Sequence, residues 1–229
     1  MQIRKIILEQ CSSAAGIVVV IDVLRAFTTA AFAFSNGAQE ILLTGSVEDA
    51  FKLRKRFPQA LLMGEVNGLP IPGFDYSNSP LEIRNAALQG RRLIQRTTAG
   101  TQGVVRSVNA SYILAASFVC ATATARRIQQ LGDQTVTFVI TGKRPDRDGD
   151  EDEACADFIS QLLLGNHPGL QPYLDRVYRS YSGGLFTNQG EGDFLADDLH
   201  LATQADCFDF AMQVSRRQDL FVMTRIKPG

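Results

Sequence analysis

Short runs of β-branched and aliphatic residues alternate along this 229-residue chain with longer segments of helical period. The run GIVVVI at 16–21 is apolar throughout, as expected of a strand covered on both faces. Helical segments between such strands place helices on both faces of a sheet. The pattern therefore predicts a three-layer α/β/α sandwich with a largely parallel or mixed central sheet.

The expected elements follow from these runs. Strands are predicted at GIVVVID, EILLTG, ALLMGE, RLIQRT, SYILAAS and TVTFVITG, and helices at LRAFTTAAFAFSNG, VEDAFKLRKRF, VCATATARRIQQLG and DEDEACADFISQLLLG. No linker rich in Pro, Gly or Ser interrupts them, so residues 1–229 are predicted to form a single domain.

Composition excludes several classes of function. A formal net charge of -1 leaves no overall basic footprint for nucleic acid or an anionic membrane. The chain starts without a signal-peptide pattern, and its four cysteines lie far apart, as is typical of free thiols in a reducing compartment. We therefore expect a cytoplasmic protein with a small-molecule ligand, and its size favours a homo-oligomer, with a dimer as the first hypothesis.

Polar side chains follow several of the predicted strands. Asp22 ends the first of them, Glu65 follows LLMG, residues 97–101 follow RLIQ, and an acidic cluster follows TVTFVI. In open α/β sheets, ligands bind beyond the carboxyl ends of the strands. These strand ends predict one site, provided that the strands are parallel neighbours.

The stretch RTTAGTQG at 96–103 combines hydroxyls, glycines and the start of a helix. Free amide groups at a helix start favour an anion, and Gly100 lets the backbone approach a ligand closely. Thr97, Thr98 and Thr101 supply hydroxyl donors. The same stretch also fits a simple helix cap, in which Thr98 or Thr101 satisfies the amides.

Asp22 and Arg25 lie three residues apart after a strand that is expected to be buried. The carboxylate can bind a divalent cation, and the guanidinium can pair with a phosphate through two hydrogen bonds. An Asp22–Arg25 ion pair or an Asp cap of the next helix fits the sequence as well.

Two further segments contribute candidate ligands. Glu65 starts a long loop that ends at Asn78 and Ser79, and Ser79 is also well placed to cap the helix that begins at Pro80. Glu151 and Asp152 begin a helix and are candidates for a magnesium site, because Mg²⁺ prefers oxygen ligands. Their alternative role is a solvated acidic helix start.

Taken together, the segments IDVLRAFTTA, GEVNG, NSP, TTAGTQG, ASFVCATATA, GDEDEACAD and GDFLADD resemble, in this order, the 2-phosphosulfolactate phosphatase (ComB-like) family. The resemblance implies a Mg²⁺-dependent enzyme that hydrolyses (R)-2-phospho-3-sulfolactate to 3-sulfolactate and phosphate, a step of coenzyme M biosynthesis. It also implies a three-layer α/β/α fold. The residues that it places in the site are Asp22, Arg25, Glu65, Asn78, Ser79, Thr97, Thr98, Gly100, Thr101, Glu151 and Asp152.

The expected mechanism is metal-assisted hydrolysis of a phosphomonoester. Asp22 and Glu65, with Glu151, Asp152 or both, are expected to bind Mg²⁺, which polarises a phosphoryl oxygen. Arg25 and the 97–101 segment stabilise the phosphoryl charge, with Asp22, Arg25, Glu65 and Thr98 as the catalytic set. Water attacks directly, or Asp22 first forms an acyl-phosphate.

The implied substrate also carries a carboxylate and a sulfonate, so further cationic contacts are expected. Arg96, Lys143 and Arg144 are candidates by position, and the alternative for the last two is a solvated loop charge. Two other functions remain compatible with the sequence: a phosphatase of another small acidic phosphomonoester, and a non-catalytic anion-binding protein. An anion-binding protein without activity would not need the candidate metal-binding carboxylates. All four of them are present here, which favours an enzyme.

Overall fold

The apolar runs form strands of one ten-stranded mixed sheet within the residues that the structure describes. The structure is a computed structural model and describes residues 1–132, 135–187 and 193–229. The strands are β1 (Gln2–Ile7), β2 (Gly16–Ile21), β3 (Glu40–Leu43), β4 (Leu61–Val66), β5 (Leu69–Pro70), β6 (Arg92–Arg96), β7 (Ala110–Ala116), β8 (Thr135–Ile140), β9 (Ala211–Arg217) and β10 (Leu220–Ile226).

Several helix ends lie at residue types that favour them. Ser46 caps the second helix by accepting the Asp49 amide, and Gly132 ends the fifth in a left-handed conformation. The helices are α1 (Ala26–Ser35), α2 (Val47–Arg56), α3 (Pro80–Arg84), α4 (Gly100–Arg106), α5 (Ala121–Leu131), α6 (Asp150–Leu163), α7 (Gln171–Arg179), α8 (Tyr181–Thr187) and α9 (Ala196–Ala202). None of these described helices has the length and apolarity needed to cross a membrane.

The sheet consists of two parallel halves joined by an antiparallel hairpin. Its strand order is β1-β8-β2-β7-β9-β10-β3-β6-β4-β5. Strands β1, β8, β2 and β7 are parallel to one another, as are β3, β6 and β4. Strands β9 and β10 lie between these two groups and run antiparallel to each of their neighbours, and β5 pairs antiparallel with β4 at the edge. The prediction of a mixed sheet is confirmed. The expected site strands, however, are neighbours only in pairs, β8 with β2 and β6 with β4.

Both faces of the sheet are covered by helices, which confirms the three-layer sandwich. Val18 and Val20 of β2 share a core with Leu43 of β3 and Met63 of β4, so both halves turn one face towards the same interior. Helix α1 lies in this core and is buried over its whole length except for its last residue, Ser35. Alternate residues of β2 pack on the opposite face against α5, α6 and α7.

Candidate active site

A pocket opens where loops from both halves of the sheet meet. It is lined by Asp22, Leu24, Arg25, Glu65, Asn67, Gly68, Asn78, Thr98, Ala99, Thr141, Gly142, Arg144, Arg147, Glu151, Asp152, Ser182, Leu185, Phe186 and Phe194. The structure thus brings together seven of the expected site residues, namely Asp22, Arg25, Glu65, Asn78, Thr98, Glu151 and Asp152. Ser79, Thr97, Gly100 and Thr101 lie behind this lining.

Two glycines of α4 allow the two halves to approach each other. A Cβ on Gly103 would lie 2.5 Å from Val20 Cγ1, and one on Gly100 would lie 2.7 Å from Asp22 Oδ2 and 2.8 Å from Ala26 Cβ. These distances are shorter than van der Waals contact, so only glycine fits. We expected Gly100 to bring the backbone close to a ligand; the group that it approaches in the structure is the Asp22 carboxyl.

Asp22 is buried at the end of β2 and accepts the Ala26 amide at 2.9 Å. This contact is the helix-capping alternative, and the Asp22–Arg25 ion pair is not formed within the described residues. Burial raises the pKa of Asp22 to about 7, and the nearby negative charges of Glu65 and Glu151 act in the same direction. The carboxyl can therefore hold or release a proton near neutral pH.

Arg25 pairs with a residue that the sequence interpretation missed. Its Nη1 donates to Asp198 Oδ2 at 2.7 Å, and Nη2 donates to the Gly68 carbonyl at 3.2 Å. The guanidinium also contacts the rings of Phe186 and Phe194, 5.2 and 5.3 Å from their centroids. Arg25 therefore links three walls of the pocket, and its contact with a phosphate stays a prediction.

Asp198 is fully buried and also orders the start of α3. It accepts the Ser79 hydroxyl at 2.7 Å and the Leu81 amide at 3.0 Å. Ser79 in turn caps α3 by accepting the Glu82 amide, as its structural alternative predicted. The adjacent Asn78 lines the pocket, and its buried Oδ1 has no partner among the described residues. In the sequence, Asp198 is the last residue of GDFLADD, one of the segments that carry the family resemblance, but the resemblance gave this residue no role.

Glu65 occupies the helix start that we expected to bind an anion. Its Oε1 accepts the Thr98 amide, and its Oε2 accepts the Thr98 hydroxyl at 3.0 Å and the Gly68 amide. Thr97 and Thr101 cap each other, since each hydroxyl accepts the other's amide at 3.0 and 2.9 Å. The RTTAGTQG stretch is thus capped internally, and Thr98 and Ala99 are the residues that it presents to the pocket.

The first turn of α6 turns two of its acidic residues inward. Asp152 accepts the amides of Val23 and Gly142, each at 2.8 Å, which ties the end of β2 to the loop after β8. Glu151 accepts the Ser182 hydroxyl through Oε1 at 2.6 Å, whereas its buried Oε2 has no partner among the described residues. Burial raises the pKa of both carboxyls above the usual range, and for Asp152 the charges of Glu151 and Asp22 add to the rise.

These carboxylates do not form a ready-made metal site. Across residues 1–132, 135–187 and 193–229, no three His, Cys, Asp or Glu side chains are arranged so that they could bind a metal ion together. Asp152 and Glu65 use both of their oxygens on donors of the protein itself. Glu151 Oε2 is buried without a hydrogen-bond partner among the described residues, and Asp22, whose Oδ1 accepts the Ala26 amide, also lines the pocket.

Most of the pocket lies within a stretch of the chain that matches a known family. A family model described as 2-phosphosulpholactate phosphatase matches residues 4–182. The chain belongs to the 2-phosphosulfolactate phosphatase family. It is therefore an enzyme of the phosphoric monoester hydrolase class, and the resemblance drawn from its motifs is confirmed.

Relatives with the same description extend over most of the chain. A probable 2-phosphosulfolactate phosphatase of Bacillus subtilis is 32% identical over 213 residues, which are 93% of this chain and 92% of the relative. That of Symbiobacterium thermophilum is 35% identical over 199 residues, 83% and 79% of the two chains. That of Deinococcus radiodurans is 40% identical over 149 residues, 65% and 62% of the two chains.

The three additional cations expected in this phosphatase differ in their surroundings. Arg96 donates to the Glu65 carbonyl at 2.7 Å, and exposed Lys143 pairs with Glu153 at 2.9 Å. Neither lines the pocket, whereas Arg144 does, together with Arg147, which the sequence interpretation missed. The loop after β8 therefore supplies the pocket with two guanidinium groups.

The buried carboxyls make the stability of the metal-free phosphatase depend on pH. A carboxyl whose pKa is raised by folding stabilises the fold at low pH, and this contribution is lost as the pH rises through the folded-state pKa, about 7 for Asp22. We expect the thermal unfolding midpoint in EDTA to fall between pH 5 and pH 8. Asp22→Asn should flatten this dependence, and an unchanged slope in the variant would contradict the assignment.

Proposed function

We propose that this protein is a Mg²⁺-dependent phosphatase that hydrolyses (R)-2-phospho-3-sulfolactate to 3-sulfolactate and phosphate. The family and the names of its relatives support the substrate. The proposal includes a cytoplasmic location and a role of the coenzyme M biosynthesis type. The observation that carries the choice of a divalent cation is the buried Glu151 Oε2, which has no hydrogen-bond partner in the described part of the chain and belongs to a pocket that Asp22 and Asp152 also line.

A divalent cation suits the chemistry of this donor set. Asp22, Glu151 and Asp152 are buried together, and each of their pKa values is raised by burial and by neighbouring negative charge. Such charges are costly unless they are paired. Mg²⁺ commonly binds through one or two carboxylates and completes its shell with waters and substrate phosphate. Asp22 and Glu151 fit this role, while Asp152 and Glu65 hold the surrounding loops in place.

When bound, the cation would neutralise phosphoryl charge and lower the barrier to attack at phosphorus. The chain itself does the positioning. Thr98 and Ala99 border the pocket at the start of α4, and Glu65 holds this segment in place by accepting the Thr98 amide and hydroxyl. Asn78 adds an amide whose oxygen is unpartnered among the described residues and whose orientation a ligand can fix. The rings of Phe186 and Phe194 exclude water from one side of the pocket.

Asp22 is the group that moves a proton or forms a bond in either of two routes. In the first, it takes a proton from the water that attacks phosphorus, the ester P–O bond breaks, and the sulfolactate oxygen leaves and takes up a proton. In the second, the carboxylate attacks phosphorus and displaces the sulfolactate oxygen, which takes up a proton, and water then cleaves the acyl-phosphate to phosphate and free Asp22. Hydroxylamine trapping during turnover separates the routes, because it captures an acyl-phosphate and leaves direct hydrolysis unaffected.

Removal of divalent cations is expected to abolish most of the phosphatase activity. Protein treated with EDTA and desalted should release phosphate from 2-phosphosulfolactate at least about tenfold more slowly, and Mg²⁺ should restore the rate. Glu151→Gln should weaken this Mg²⁺ activation. Glu153→Gln is the matched control, because Glu153 lies in the same helical turn but pairs outward with Lys5 and Lys143. Full activity in EDTA would refute the metal requirement.

A further inference from the structure

A tight turn between β8 and α6 carries two arginines to the pocket. The Arg144 amide donates to the Arg147 carbonyl at 3.0 Å, and the Arg147 amide donates back to Arg144 at 3.1 Å. Residues paired in this way across two neighbouring strands project their side chains to the same side. Both arginines line the pocket.

Unlike the other nearby cations, neither of these guanidinium groups forms a hydrogen bond with a side chain in the described part of the protein. Arg25 is neutralised by Asp198 and Lys143 by Glu153. Arg144 forms no side-chain hydrogen bond or ion pair with any residue of 1–132, 135–187 and 193–229. Arg147 lies over the Tyr181 ring, 5.2 Å from its centroid, and its buried Nε has no hydrogen-bond partner among the same residues. Its nearest carboxylate, the largely exposed Asp146, is 3.8 Å away.

The pocket lining therefore contains two separate sets of groups. Glu151 Oε2 remains without a hydrogen bond, so neither arginine donates to it. Arg144 and Arg147 present donors that match the oxygens of a carboxylate or sulfonate. A ligand that uses both sets carries a phosphoryl group and a second, separate acidic group.

Resting on the proposed phosphatase function, we propose that Arg144 and Arg147 form a second anion subsite that binds an acidic group of the substrate other than its phosphate. The subsite selects phosphomonoesters of sulfonated or carboxylated hydroxy acids over esters of neutral alcohols. Arg144 makes the direct contact, and Arg147, held against Tyr181, fixes the turn and adds positive charge.

The test compares Arg144→Ala with Lys143→Ala on three substrates. These are 2-phosphosulfolactate, 2-phospholactate, which lacks the sulfonate, and phenyl phosphate, which lacks both acidic groups. A hydrogen bond to a charged group corresponds to about 10- to 100-fold in affinity. We expect Arg144→Ala to lower kcat/KM for 2-phosphosulfolactate relative to phenyl phosphate by about that factor, mainly through KM, and Lys143→Ala to leave the ratio unchanged.

The two acid-bearing substrates identify the group that is bound. A loss confined to 2-phosphosulfolactate assigns the sulfonate, and an equal loss for 2-phospholactate assigns the carboxylate; both results support the subsite. An equal loss on all three substrates, or the same change in Lys143→Ala, overturns it.

Calorimetric measurement of 3-sulfolactate binding tests the subsite independently of the proposed hydrolysis. If the wild-type protein fails to hydrolyse 2-phosphosulfolactate, the proposed function fails, but the subsite is still tested by binding. Weakening of 3-sulfolactate binding by at least about tenfold in Arg144→Ala supports the subsite. Equal binding by both proteins, or no binding by the wild-type protein, overturns it. Thermal unfolding of Arg144→Ala checks that the variant is folded.

Discussion

Asp22→Asn is expected to lower kcat for phosphate release by about 10²- to 10⁴-fold, the range typical of a group that transfers protons in the transition state. Asparagine keeps the shape of the side chain and an oxygen for the Ala26 amide, so the start of α1 should stay in place. What is lost is the negative charge and the titratable proton. Phosphate release under saturating substrate and Mg²⁺ measures the effect.

The same substitution is expected to leave the fold intact or to stabilise it slightly. Burial and the charges of Glu65 and Glu151 both oppose ionisation of Asp22, so a neutral side chain relieves an unfavourable interaction at pH 8. Opposite changes in activity and stability distinguish loss of a functional group from loss of structure. An unaffected rate would remove Asp22 from the mechanism, and a large drop in the unfolding midpoint would indicate a structural role.

The sheet illustrates what the sequence could and could not predict. The buried parallel strand β2 is apolar at every position, and β8 contains only threonines besides its apolar residues, so both stand out from the polar segments around them. Strand β1 and the hairpin β9–β10 were not predicted. Strands β1 and β9 mix exposed or partly buried positions with charged side chains, and the apolar run of β10, LFVM, is only four residues long. The hairpin separates the two parallel halves, and the order of strands therefore could not be read from the pattern.

For the pocket, the sequence could predict which residues take part but not which contacts they make. Residue type and position after a strand were sufficient to select Asp22, Glu65, Glu151 and Asp152, because carboxylates at strand ends point to few other roles. Their hydrogen-bond partners were not predictable. Whether Thr98 donates to a ligand or to Glu65 depends on how two loops pack, and those loops come from residues 33 positions apart. The sequence interpretation therefore selected the residues but not the contacts between them.

The pairing of Arg25 with Asp198 was beyond the reach of the sequence for the same reason, since 173 positions separate the two residues. Asp198→Ala is expected to destabilise the protein by about 3–5 kcal/mol, the cost of leaving one member of a buried ion pair without its partner. The variant also loses acceptors for the Ser79 hydroxyl and the Leu81 amide. Urea unfolding measures the loss. Asp197→Ala is the matched control, because Asp197 is its exposed neighbour in α9 and should change stability by no more than about 0.5 kcal/mol.

A double-mutant cycle with Arg25→Met separates a structural role of Arg25 from a role in catalysis. If Arg25 serves mainly to hold Asp198, Gly68 and the two phenylalanine rings together, removing both charges should cost less stability than the sum of the single changes. A folded double variant with near-normal kcat would then show that phosphate does not need this guanidinium. If instead both Arg25 variants lose turnover while Asp198→Asn keeps it, Arg25 acts on the substrate as well as on the fold. Additive losses of stability would contradict the ion pair as the source of the coupling.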